Sequence, residues 1–183
     1  YQLIDKDLNI LSEPKLYFDP SYDIIDADIV YNAVDDDYQM VYKCEKANGF
    51  NRATASHLVP ADGDATTGTT VWTVTDGFHV SDNNQAIEAP TQWREMGETK
   101  WRLSFINYGG GYGYKTVGLD EHGLNPSSPV RIAGSNNAQH GSILKLTQAE
   151  YDYLVDWDSV KTLLPTVQAL YKTLASDDIK AAI

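Results

Sequence analysis

Two short runs set carboxylates into segments that otherwise read as buried strands. The first is Asp23-Ile24-Ile25-Asp26-Ala27-Asp28-Ile29-Val30. The second is Gln85-Ala86-Ile87-Glu88-Ala89-Pro90-Thr91-Gln92-Trp93, where an Ile-acid-Ala triplet again opens a strand-like run. An ionised carboxylate is costly to bury without partners, so acids at these places point to a cleft rather than to a core. Two carboxylates facing one cleft can divide a hydrolytic reaction between them, one giving a proton to a leaving oxygen and one taking a proton from water. Asp26 and Glu88, 62 positions apart, are the candidates for such a pair.

The elements that would carry them repeat along the chain. From Tyr1 to about Leu146, aromatic and β-branched runs such as YQMVYK, TVWTVT and KWRLSFINY alternate with turn clusters such as VDDD, PADGDATTG, SDNN and NPSSP. After Asp26 come a strand, an acidic turn, a second strand, a Gly bend at Asn48-Gly49 and a third strand. After Glu88 the same order recurs, through a turn at Met96-Gly97, a second strand, the glycine run 109–111 and the strand YKTVG. Each unit closes on a short terminal strand. A period of 62 residues exceeds the roughly 40 to 50 of common propeller repeats, yet suits a four-stranded blade with long loops. The expected fold class is all-β, a partial β-propeller of at least three four-stranded blades in residues 1–146. In such a fold the first strand of each blade lines the central channel, which sets Asp26 and Glu88 toward one pocket. Residues 147–183 read as a short α-helical C-terminal extension. Thr147 and Glu150 form a capping box, and further helical pieces are expected after Asp158, Pro165 and Ser176.

Composition narrows the partners. The 183 residues are 42% hydrophobic and 22% charged, ordinary for a soluble globular domain. A formal net charge of -12 repels phosphate backbones, and no Lys/Arg cluster offsets it, so nucleic acid is excluded as a partner. No apolar run approaches the roughly 18 residues of a membrane span. The single cysteine, Cys44, excludes an internal disulfide and reads as a small buried apolar residue on a strand.

Three segments together carry a family resemblance: IDADIVYNAVDDDYQMVYKCEKANGFNRATASHLVP, AIEAPTQWREMGETKWRLSFINY and QHGSILKLTQAEYDYL. They resemble the five-bladed β-propeller glycoside hydrolases of family 43 and their relatives, which include arabinofuranosidases, xylosidases, arabinanases and galactosidases. The resemblance spans about Tyr1 to Leu154. It implies a carbohydrate partner and inverting hydrolysis of plant or other polysaccharide glycosides, with the two carboxyl groups roughly 6.5 to 9.5 Å apart. It also implies that Glu88 is the general acid and Asp26 the Asp that tunes the acid and orients substrate. His140 matches the last-blade histidine that stands beside a metal ion or water. The resemblance thus makes His140 a substrate-side and metal candidate, with room for calcium or another ion in the channel and no cofactor required. The family's general base belongs to a first blade, of which Tyr1–Phe18 resembles only the closing edge. This implies a fragment of a larger secreted or cell-surface enzyme, inactive by itself and prone to self-association through open blade edges. The same residues also suit a non-catalytic carbohydrate-binding or structural propeller module of a surface protein.

Other residues have weaker claims. Lys43 is a candidate for a hydrogen bond near the pocket, against an exposed ion pair with Glu45. Trp93 and Tyr108 are candidates for contact with a sugar face, since aromatic rings suit its C–H patches; packing in the core is the competing fate for Trp93. The run 109–111 lacks the Lys-Ser/Thr ending of a phosphate loop and reads as a bend. His57, His79 and His122 show no metal-ligand spacing.

Overall fold

The computed structural model describes residues 1–58, 72–109 and 112–173. The PADGDATTG turn, the opening of TVWTVT, two glycines of the run 109–111 and the helical piece after Ser176 lie outside the described residues. Contacts divide the chain into two compact units, Tyr1–Ile143 and Leu144–Ile183.

The first unit is built on two antiparallel four-stranded sheets. One has the order β1 (Ile24–Asn32), β2 (Asp37–Cys44), β3 (Gly49–Ala55), β4 (Thr73–Val74). The other has β5 (Ile87–Trp93), β6 (Arg102–Asn107), β7 (Gly113–Gly118), β8 (Val130–Arg131). Both follow the order read from the repeat. The turn residues explain the reversals: Asp36 at φ 54° ends the acidic turn and Gly97 at φ 86° the Met96 turn, left-handed positions that Asp and Gly tolerate. The outer strands are short because each is broken soon after it starts. Past β4, Gly77 at φ 75° interrupts the pairing, which resumes only where Val80 bridges Phe50.

Period-two alternation gives the first sheet two buried faces. Val41 and Phe50 join Phe78, Val80, Ile87, Leu103, Phe105 and Val117 in one core between the sheets. The rings of Phe50 and Phe105 meet across it at 5.4 Å. Met40, Tyr42, Ala53 and Trp72 form a second core on the opposite face, covered by Tyr17, Phe18 and Tyr22 from the N-terminal stretch. Each fully buried aromatic contributes about 1.5–3 kcal/mol of hydrophobic stabilisation, so the core between the sheets is what joins them. Cys44 is buried and free, as its sequence context suggests.

Two expectations need correction. At least three blades were expected, and the described residues form two four-stranded sheets. The stretch before Asp19 folds back on itself through the Ile4–Ile10 bridge and the Leu11–Leu3 and Lys15–Tyr1 backbone bonds, and lends its aromatic side chains as cover. A lone hairpin with no third neighbour is marginal, and this one joins neither four-stranded sheet. The second correction concerns the tail, where one helix, α1 (Gln148–Thr173), replaces three pieces. Its start is the expected capping box: Glu150 Oε2 accepts from both the backbone and hydroxyl of Thr147 at 2.8 Å. Asp158 caps no new helix because it lies inside α1, where the Ser159 hydroxyl donates back to the Val155 carbonyl at 3.1 Å. Pro165 removes one N–H, and the helix formers on both sides carry α1 past it. Among the described residues no helix is long and apolar enough to cross a membrane.

Candidate active site

Asp26 and Glu88 stand near the start of the first strand of their sheets, and each strand carries a one-residue bulge there. Pairing slips between Ile25 and Asp28 against β2, and between Glu88 and Thr91 against β6. The registers show that the two units are offset by 63 rather than 62, since Ile24 faces Cys44 and Ile87 faces Asn107. Asp26 is therefore equivalent to Ala89, and Glu88 to Ile25. Backbone angles agree, with φ of 52° at Asp26 and 51° at Ala89. The two acids lie on consecutive positions of one repeated bulge, a correction to their reading as equivalent residues.

The bulge in β5 leaves the Ala89 N–H outside its ladder, and Asp26 Oδ2 accepts it at 3.1 Å. Asp28 makes a second tie between the sheets. Its Oδ2 accepts the Gln92 backbone N–H at 2.8 Å and the Gln92 side-chain amide at 3.2 Å. Burial pushes the Asp28 carboxyl pKa up, and the bonds from Gln92 pull it part of the way back. Asp23, by contrast, is exposed.

Glu88 is half-buried and pairs with Ile106 in the ladder. Its Oε2 accepts the Tyr108 hydroxyl at 3.0 Å. Tyr108 donates its own backbone N–H to the Ala86 carbonyl at 3.0 Å and meets the Tyr112 ring edge-on at 5.2 Å. Its phenol is pushed up to about 12, first by desolvation, then by the bond to Glu88, with the charge of Asp26 adding. Tyr108 thus lies in the field of both carboxylates and remains a donor throughout the ordinary pH range. Asp26, Glu88 and Tyr108 are the sequence candidates that the fold brings together.

The others are placed around or away from this cluster. Lys43 is buried opposite Ile25, where its ammonium donates to Asn48 Oδ1 at 3.1 Å with Glu45 at 3.9 Å. Asn48 donates in turn to the Gln85 carbonyl at 3.2 Å, so Lys43 braces the approach to β5 and bonds to neither acid. Trp93 lies at the opposite end of β5 from Glu88. Its indole donates to Ser104 Oγ at 2.8 Å, and the Arg102 guanidinium stands 5.6 Å from its ring centre. His140 is exposed, with φ 49°. The next residue docks on the second sheet: the Gly141 carbonyl accepts from Thr91 Oγ1 at 3.1 Å, and its N–H donates to the Tyr114 hydroxyl. Among the described residues no group of three or more His, Cys, Asp or Glu side chains could hold a metal ion. No step is assigned to an ion at His140.

One acid escaped the sequence reading. Asp82 is buried in the crossover between the sheets, where its Oδ2 accepts from Asn107 Nδ2 and Lys115 Nζ. Its only signal is a place in the SDNN cluster, which looks like any solvated turn.

A family model described as a probable glycosyl hydrolase domain, of the family-43-related type, matches residues 1–152. Comparison with curated proteins and with solved structures found no match. With that match covering most of the sequence, the chain belongs to the family-43-related family of probable glycosyl hydrolase domains.

Proposed function

We propose that the domain acts on the glycosidic bonds of plant or other polysaccharides, outside the cell or at its surface, by inverting acid/base hydrolysis. The observation that supports this reading most is the link between Asp26 and the peptide that follows Glu88, made by equivalent bulges in the first strands of neighbouring sheets. Glu88 gives its proton to the leaving oxygen. Asp26 fixes the backbone beside it and presents its second oxygen to a sugar hydroxyl. Inversion also needs a carboxylate that activates water on the opposite face of the ring. Among the described residues no further carboxylate is hydrogen-bonded to Asp26, Glu88 or Tyr108, so the base is assigned to none of them.

The same observation favours a second reading. A carboxylate spent on a backbone N–H is a structural group, which suits a module that binds glycans without cutting them. Joining the chain to a family-type first blade that carries its Asp separates the two. The chimaera is expected to hydrolyse aryl arabinofuranosides, xylosides or galactosides. Glu88→Gln is expected to cost 100-fold or more, on the order of general acid contributions, on substrates with poor leaving groups while sparing activated ones. No turnover on any of them, with oligosaccharide binding retained in calorimetry, would establish the binding module instead.

A further inference from the structure

A bond between a tyrosine and a carboxylate positions the carboxylate only if the tyrosine is itself held. Tyr108 is held from both sides. Its own N–H is bonded to Ala86, and the next residue, Gly109, donates its N–H to Asn107 Oδ1 at 2.8 Å. Asn107 is 1% exposed, and its other amide atom donates to Asp82. Asp82 is 3% exposed and carries the Lys115 ammonium as its counter-charge, while its carbonyl accepts the Gln85 N–H at 2.8 Å. The chain of contacts runs without a gap from the buried Asp82 and its half-buried Lys115 partner, through a buried amide, to the turn after β6 and then to Glu88. Asp82 is the buried end of this pair, and removing the Lys115 counter-charge or the Asn107 amide would leave its carboxylate uncompensated.

From this we infer that Tyr108 is the positioning residue for Glu88 rather than a sugar-binding residue, and that Asp82 and Asn107 are what hold Tyr108 in place. The catalytic consequence rests on the hydrolase reading above; the positioning itself does not. A fixed carboxyl directs its proton at one oxygen, and a small displacement of a reacting group costs rate out of proportion to the distance.

The test uses the chain itself first. By NMR, the two γ protons of Glu88 are expected to be distinct and its side-chain couplings those of one rotamer. In Tyr108→Phe they should average, at unchanged fold. Asp82→Asn should release Tyr108 in the same way; if that variant does not fold, Asn107→Ala takes its place, and Tyr108→Phe removes a single hydroxyl. The Tyr108 ζ carbon should titrate near 12 and move only part of the way down in Glu88→Gln, because desolvation, the larger cause, remains. A single Glu88 rotamer surviving in Tyr108→Phe overturns the proposal. In the chimaera, Tyr108→Phe should lower kcat on poor leaving groups at least tenfold with KM within twofold. A rise in KM alone, equal for both kinds of leaving group, would return Tyr108 to sugar binding and likewise overturn it. A freed Glu88 rotamer in Tyr108→Phe, together with a chimaera that cleaves no glycoside, supports the positioning and sinks the hydrolase reading.

Discussion

The two sheets share strand order, bulge and backbone conformation, yet their bulges carry different chemistry. In the first sheet the left-handed residue is Asp26, and its side chain reaches across to the neighbouring sheet. In the second it is Ala89, which has no side-chain bond to compensate for the same backbone, and the acid sits one position earlier as Glu88. The first acid is spent on a backbone N–H, and the second is met by a tyrosine hydroxyl. The repeat supplies a kinked strand opening, and a one-residue change in where the acid falls decides whether it bonds the backbone of the neighbouring sheet or a tyrosine hydroxyl.

The largest effect is expected where the two sheets share their core. Phe105→Ala opens a cavity against Phe50 and should cost about 3–5 kcal/mol, read as one cooperative transition in chemical denaturation. A second transition would mean that the sheets fold apart and that the tie between their bulges is incidental. Asp28→Ala is expected to cost about 1–3 kcal/mol, because it strands the Gln92 backbone N–H, while the Gln92 side-chain amide keeps its bond to the Asp28 carbonyl; an unchanged midpoint would make the Asp28 tie irrelevant. The bulges themselves can be set against each other. Ala89→Gly should raise stability by about 1 kcal/mol, whereas Asp26→Gly should lower it through loss of the Ala89 bond. Equal effects at both positions would erase the distinction drawn here.

The smallest effect concerns the far end of the sheets, where His122 Nδ1 donates to Asp35 Oδ1 at 2.6 Å. That bond raises the histidine pKa above its ordinary value. A raised pKa in the folded state gives stability that is fully present below the unfolded value near 6.5 and is lost as pH rises through the higher folded one. Melting temperature should therefore decline modestly on going from about pH 6 to 8, and His122→Gln should flatten that part of the curve. A wild-type profile identical to the variant's would show the pair to be inert.

Much of this was legible from residue order. Alternating apolar runs between turn clusters gave the strand sequence within each sheet, and Thr147 with Glu150 marked the helix start. Asp26 and Glu88 stood out because acids in apolar strands need a reason. What could not be read was the bulge. An extra residue on one strand is defined by what pairs opposite it, and a linear repeat carries no trace of that, so the offset of 63 looked like 62. Asp82 was invisible for a related reason. Its burial depends on Asn107 and Lys115, both more than 20 residues away, and its neighbours Ser81, Asn83 and Asn84 spell an exposed turn. Pro165 misled in the other direction, since a local breaker lost to the helix formers around it.

The kinked openings of β1 and β5 also bear on how the protein behaves in a crowd. Both strands are sheet edges, and a long flat edge with unpaired N–H and C=O groups recruits strands from other molecules. Here one edge is bent at Asp26 and charged by Asp26 and Asp28, and the other is bent at Ala89 and followed by Pro90, which offers no N–H. The opposite edges, β4 and β8, are two residues long and give an incoming strand little to align on. The kinks that break the ladders of β1 and β5 therefore also shorten the run of backbone groups an incoming strand could pair with, and a straightened opening would lengthen it.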